Sequence, residues 1–213
     1  MDQGNYDIAT TELTRVPKQA RSQRKFDRIL AEALRLIQEK GYEHVSVREI
    51  ARAAEMPIAS VYQYFPNKLA IVRQLWEGYT DSLAALLGAE LNALVAAPSE
   101  ATRARVVGKV VDHMVEHHRE NPAFLEVWRA VDGSPELRAL NRQDNLLVAE
   151  AVTAAVLSIK PNSDRPKVMS RVLIASEAAS ATVKLAQELP ADLRPGLYEN
   201  LKSVLASMLA EAM

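Results

Sequence analysis

Residues 45–68 read VSVREIARAAEMPIASVYQYFPNK, and the punctuation of this stretch decides the architecture. Ser46 and Glu49 have the Ser-x-x-Glu spacing of a capping box, in which side chains satisfy the free backbone N–H groups of a first helical turn, so a helix starts at Val47. Val47, Ile50, Ala51 and Ala54 give that helix one apolar face. Pro57 then presets φ for a new helical turn, and a brief second segment runs to Phe65, where Pro66 stops it. Two short helices joined by about three turn residues, with a helix upstream to brace them, have the spacing of a helix-turn-helix.

Outward from this stretch the pattern stays helical. Phe26, Ile29, Leu30, Ala33 and Ile37 recur at steps suited to one helix face, and Gly41 follows as a C-cap. Downstream, Asn67 is an N-cap for a long amphipathic helix through Leu69, Val72, Leu75, Trp76, Tyr79, Leu83, Leu86 and Leu87. Further helices are expected near residues 100–119, 122–131, 135–159, 165–189 and 195–212, because most of the ten prolines fall between apolar-periodic segments. No strand pattern interrupts them. The expected fold is all-α, with an N-terminal three-helix helix-turn-helix DNA-binding domain and a larger C-terminal helical bundle. The expected division is a flexible basic arm over 1–20, the helix-turn-helix over 21–66 and the bundle over 67–213.

Composition excludes several classes. The 213 residues are 48% hydrophobic and 25% charged with 7 glycines, which suits a packed globular chain and not a disordered or collagen-like one. The absence of cysteine removes disulfide scaffolds, cysteine-ligated metals and cysteine nucleophiles, and reads as cytosolic. The longest stretch without charge, Met56 to Asn67, is too short to cross a membrane, and the acidic, non-apolar start does not resemble a secretory signal. A cytoplasmic location is expected, with no membrane partner and no cofactor.

Charge is divided unevenly. Residues 15–73 hold twelve Lys or Arg against six Asp or Glu, although the whole chain has a formal charge of -1. A basic third on a mildly acidic remainder fits one small domain meeting a polyanion, and equally an ordinary solvated basic face. The second short helix separates these. On a helical wheel Ile58, Val61 and Phe65 lie within about 60° of one another and can face a core. The opposite face presents Ala59, Ser60 and Gln63, flanked by Tyr62 and Tyr64, with no carboxylate to repel phosphate. Small residues and hydroxyl or amide groups suit a helix that enters a major groove about 12 Å wide and reads base edges. Arg48 and Arg52, one turn apart, repel each other until a phosphate lies between them. Lys68 opens the next helix where the dipole already favours an anion. Arg15, Lys18, Arg21, Arg24, Lys25 and Arg28 make an upstream basic arm suited to phosphates or the minor groove, or a plain disordered tail.

The run from Val45 to Lys68 resembles the DNA-binding signature of the tetracycline-repressor (TetR) family of transcriptional regulators. The likeness rests on Ile50 with Ala51, on Ser60 to Phe65, and on Asn67 with Lys68, and covers roughly residues 20–75. It implies that Arg48, Ser60 and Gln63 reach bases, that Ser46, Tyr62, Tyr64 and Lys68 hold phosphates, and that Ile50, Val61 and Phe65 are core. Two departures bear on the turn. Glu55 stands where the family usually has Gly, and Pro57 where it often has Ser. If Glu55 takes a positive φ the cost is of order 1 kcal/mol, so the turn either avoids that conformation or is mildly strained.

A single helix-turn-helix makes few base contacts, and two of them about 34 Å apart on a double-stranded operator need a symmetric homodimer. The small residues Ala175, Ser176, Ala178, Ala179, Ser180 and Ala181 allow close helix approach. An apolar stripe through Leu197, Leu201, Val204, Leu205, Met208 and Leu209 could complete a four-helix interface or pack within one chain. The resemblance also implies a pocket for a small-molecule effector that releases DNA and makes the chain a ligand-responsive repressor, with the helix from Asn67 as lever. Met114, His117, Phe124, Trp128 and Arg129 are candidates to line it, though such residues at helical spacing also make plain core.

One motif argues for an enzyme. His113, Glu116 and His117 spell H-x-x-E-H, an inverted zinc-peptidase pattern. A catalytic zinc needs a third protein ligand, which nothing here supplies, and the adjoining His118 suggests a polar surface run. A zinc-dependent hydrolase and a helical interaction module that never touches DNA therefore remain as alternatives, and no metal site or catalytic residue is assigned.

Overall fold

The computed structural model describes residues 12–212, and among these every regular element is a helix, without a strand. The helices are α1 (Ala20–Lys40), α2 (Val47–Ala53), α3 (Ile58–Tyr62), α4 (Lys68–Ala96), α5 (Glu100–Glu120), α6 (Phe124–Gly133), α7 (Pro135–Ile159), α8 (Arg165–Glu188) and α9 (Arg194–Ala212), with a 3-10 turn at Tyr42–His44. Most of the expected basic arm, residues 1–11, lies outside the described residues. Arg21, Arg24, Lys25 and Arg28 belong to the first turns of α1, so of the six cations read as an arm only Arg15 and Lys18 precede a helix.

The chain forms two compact units. One comprises the chain through Tyr79 together with Asn121–Asn141, and the other comprises Thr80–Glu120 with Arg142 onward. Compactness draws its line inside α4, beyond the Pro66 boundary that the punctuation suggests.

In the first unit α1 buries Phe26, Ile29, Ala33 and Ile37 of the expected stripe, with Leu36 buried beside them and Leu30 only half-buried. Gly41 ends it at φ 77°, and its N–H donates to the Ile37 carbonyl at 2.8 Å. Ile50 of α2, Val61 of α3 and Phe65 close on that stripe and are fully buried. Phe26 and Phe65 stack with ring centroids 4.9 Å apart. Truncating a ring buried in this way costs roughly 3–5 kcal/mol. A second aromatic group joins α4 to α6. Tyr79 lies 4.9 Å from Phe124 and 6.2 Å from Trp128, while Trp76 stacks on Phe124 at 6.2 Å.

In the second unit α5, α8 and α9 pack together, around a core that includes Leu94, Val111, Val156 and Val183. Glu90 of α4 is buried, and its carboxylate accepts from Arg105 and, at 2.6 Å, from Lys109, both on α5. A buried carboxylate is tolerable only with such partners, and removing them would leave an uncompensated charge.

Candidate nucleic-acid interface

The helix-turn-helix is built by local bonds. The Ser46 hydroxyl oxygen accepts from the Glu49 N–H at 3.2 Å, and the Glu49 carboxylate accepts from the Ser46 N–H at 3.0 Å and its hydroxyl at 2.9 Å. Lys40 Nζ donates to the other carboxylate oxygen at 2.9 Å. Chiefly through Lys40, then Ser46, the Glu49 pKa falls to about 2. The Ser46 hydroxyl, a phosphate candidate by resemblance, is therefore already engaged in the cap.

Glu55 sits in the turn at φ 53°, the one positive-φ residue other than glycine among the described residues. The second of the two expectations for this turn therefore holds, and the backbone carries left-handed strain of order 1 kcal/mol. Its carboxylate pairs with Arg28 of α1 at 2.5 Å, fastening the turn to the bracing helix.

The outward surface of α3 matches its wheel in part. Ala59 and Gln63 are exposed, Ser60 is half-buried and Tyr62 is 44% exposed, while Val61 and Phe65 are buried. The helix ends at Tyr62 and not at Phe65. Tyr64 N–H donates to the Val61 carbonyl at 3.0 Å, a three-residue step tighter than an α-helical one. That step brings Tyr64 round toward α1, where it is 5% exposed and meets Phe26 edge-on at 5.8 Å. Its carbonyl also accepts from the Thr14 N–H at 2.8 Å. Tyr62 is thus the tyrosine presented outward, and Tyr64 is a wedge in the core.

Ion pairing sorts the cations. Arg35 is held by Glu32 and Glu39, Lys40 by Glu49, and Arg28 by Glu55. Arg15, Lys18, Arg21, Arg24, Lys25, Arg48 and Arg52 have no acidic partner among the described residues and are free for phosphate. Asn67 caps α4 as expected, its Oδ1 accepting from the Ala70 N–H at 2.9 Å. Lys68 Nζ donates to the Tyr42 carbonyl at 2.7 Å, and burial lowers its pKa. An ammonium has three donors, so this bond leaves capacity for a phosphate.

Comparison with known families settles the class. A model described as "Bacterial regulatory proteins, tetR family" matches residues 29–75, and one described as "Tetracyclin repressor-like, C-terminal domain" matches residues 101–213. The chain belongs to the tetR family. It is a helix-turn-helix, DNA-binding transcriptional regulator. A 61-residue segment is 36% identical to the probable HTH-type transcriptional regulator YttP of Bacillus subtilis (strain 168), covering 27% of this chain and 30% of that protein. A TetR-family transcriptional regulator from Streptomyces coelicolor has a TM-score of 0.63 at 23% identity, over 89% of this chain and 99% of its own. One from Mesorhizobium loti has a TM-score of 0.68 at 16% identity, over 90% and 98%. At these identities the structural likeness is one of fold.

The effector candidates of this TetR-family chain fall in both units. Met114 and His117 belong to α5 of the second; Phe124, Trp128 and Arg129 belong to α6 of the first. Phe124 and Trp128 are members of the aromatic cluster, and Arg129 is exposed and paired with Glu126. An apolar pocket of about 120 Å³ lies elsewhere, within the second unit, between α4, α5, α7, α8 and α9. None of the five candidates lines it. Its walls come from residues far apart in sequence, and Ala175, Ser176, Ala179, Leu205, Met208 and Leu209 among them are residues that the sequence offered for an interface between chains, so no local signal marks it.

The histidine motif also differs from expectation. His118, read as part of a polar surface run, is 2% exposed, because it lies on the face of α5 that also buries Val111 and Met114. Burial, then the neighbouring His117, pushes its pKa down to about 4. His113 bonds the Ser82 hydroxyl at 3.1 Å, and Glu116 is held by Arg119 at 2.8 Å. Among the described residues no three His, Asp or Glu side chains are grouped to hold a metal ion. No described helix is long and apolar enough to cross a membrane.

Proposed function

We propose that this TetR-family regulator is a cytoplasmic, ligand-responsive repressor that binds a palindromic operator as a homodimer and leaves it when a small-molecule effector binds. The observation that carries the DNA reading is the uncharged outward face of α3, with Ser60, Tyr62 and Gln63 amid unpaired Arg48 and Arg52. A groove-entering helix needs short polar side chains at the base edges and cations at the phosphates. In this reading Gln63, Ser60 and Arg48 contact bases, Tyr62 and Lys68 contact phosphates, and Ser46 and Tyr64 position the reading helix by capping and packing.

The homodimer is supported by the outer faces of α8 and α9, where Ile174 is 59% and Val204 55% exposed, with Leu185 also exposed. Apolar residues in this density on helices that already pack inward suit burial against a second copy. Effector control is supported by the apolar pocket between helices of the same unit.

Selection of genomic fragments by the purified full-length chain, followed by gel shift, tests the reading. The expected site has dyad symmetry, with half-sites separated by about 34 Å or a multiple of it. Binding that shows no sequence preference, or a footprint of one half-site, overturns it.

A further inference from the structure

The pocket in the second unit has chemistry that its size and lining specify. Leu87 and Leu91 of α4, Val106 of α5, Val152 of α7, Ala179 of α8 and Leu205 of α9 contribute to a wall that is nearly all hydrocarbon. Its polar side chains are Ser176 and Arg171. The Arg171 guanidinium donates to the Glu211 carbonyl at 2.5 Å and to the Glu211 carboxylate at 2.9 Å, so at the rim of the pocket its charge is already paired with an exposed carboxylate. Arg171 is the one charged residue of the lining, so an anionic ligand would have to displace Glu211 to be paired there and a cationic one would be desolvated with no counter-charge to receive it. A volume of about 120 Å³ is close to that of an engineered cavity of about 150 Å³, lined by Leu, Ile and Phe, that holds benzene.

We infer that this pocket binds an uncharged, apolar molecule about the size of a single aromatic ring, and not an acid, amine or sugar. Resting on the ligand-responsive reading above, that molecule is the effector. The helices that wall the pocket also carry the exposed apolar residues: Ala179 and Leu205 face it, while Ile174 and Val204 face outward on the same α8 and α9. An occupant that spreads these helices changes the surface offered to a second copy. It therefore favours one dimer arrangement over another, which is the differential affinity a ligand needs to act.

Titration calorimetry of the full-length protein with toluene and with benzoate, its charged counterpart, tests the ligand class, and anisotropy on the selected operator reads release. Toluene is expected to bind saturably, and benzoate at least ~10-fold more weakly. Ala179→Leu, which fills the pocket, is expected to abolish toluene binding while cooperative unfolding is retained. Leu205→Ala, which enlarges it, is expected to admit naphthalene ~10-fold better than the parent. Benzoate binding as tight as toluene, or toluene binding undiminished in a folded Ala179→Leu protein, overturns the inference. Should Ala179→Leu not fold, the absence of any naphthalene gain in Leu205→Ala overturns it instead. Saturable toluene binding, blocked by Ala179→Leu but without effect on operator affinity, upholds the ligand class and overturns only the effector reading beneath it.

Discussion

The ammonium of Lys68 lies 2.7 Å from the carbonyl oxygen of Tyr42 and 4.0 Å from the centroid of the same tyrosine ring. The first residue of α4 is thereby tied to the turn that follows α1, and a cation suited to phosphate is held by the fold before any DNA arrives. Lysine side chains lose considerable rotamer freedom when ordered, and a pre-positioned ammonium has already met part of that cost.

Lys68→Ala is expected to weaken operator and non-specific DNA alike and to lower the slope of log K against log salt by about 1. It also removes the Tyr42 contacts, so the urea midpoint should fall by the equivalent of about 1 kcal/mol. Salt titration of binding and equilibrium denaturation read the two effects separately.

Gln63→Ala is expected to act on sequence preference. An amide that reads one base edge is worth roughly 1–3 kcal/mol at that position and little elsewhere. Binding to a library of single-base operator variants should flatten at one position per half-site, with the salt slope unchanged. Uniform weakening across the library would place Gln63 on the backbone.

Glu55 inverts the usual order of substitutions. At φ 53°, Glu55→Ala keeps the left-handed strain and loses the Arg28 pair, whereas Glu55→Gly loses the pair and relieves the strain. Both partners are well exposed, so the pair itself contributes little. Chemical denaturation should find the glycine variant more stable than the alanine variant by about 1 kcal/mol.

The buried His118 sets an acid limit on stability. Its pKa is about 4 in the fold against an ordinary 6.5, so the unfolded chain binds more protons between these values. The His118 contribution is complete above 6.5 and is lost as pH falls toward 4. Thermal unfolding from pH 7 to 4 should show this decline, and His118→Gln should flatten it. Glu49 acts in a lower window: its stabilising contribution is present above 4.5 and lost as pH falls toward about 2, so Glu49→Gln should change the slope only there.

Ile174→Glu should weaken self-association, because the two-fold interface proposed above would bring the new charge close to its own copy. Sedimentation equilibrium is expected to show a dissociation constant raised roughly 10- to 100-fold, with the helical content of the monomer retained. Operator affinity should fall in parallel, since in the proposed homodimer the half-sites are bound jointly.

Helix ends were legible from sequence because capping is local. The Ser46 and Glu49 box, the Gly41 stop and the Asn67 cap each involve residues within four positions of one another, and each stands where the spacing predicts it. The same locality made α3 readable as a helix, but not the tighter step after Tyr62 that turns Tyr64 into the core against Phe26. A helical wheel assumes constant rotation per residue, and the contact that rewards the departure comes from a helix some forty residues upstream.

Amino-acid order by itself determined the all-helical class, the helix-turn-helix and its uncharged outward face, since these follow from hydrogen bonds and apolar periodicity over a few residues. Tertiary packing decided which cations are free, that Lys68 rests on Tyr42, that His118 is buried, and where five helices leave an apolar pocket. Ion pairing, desolvation and void volume depend on side chains distant along the chain coming within a few ångströms, and no local pattern encodes those separations.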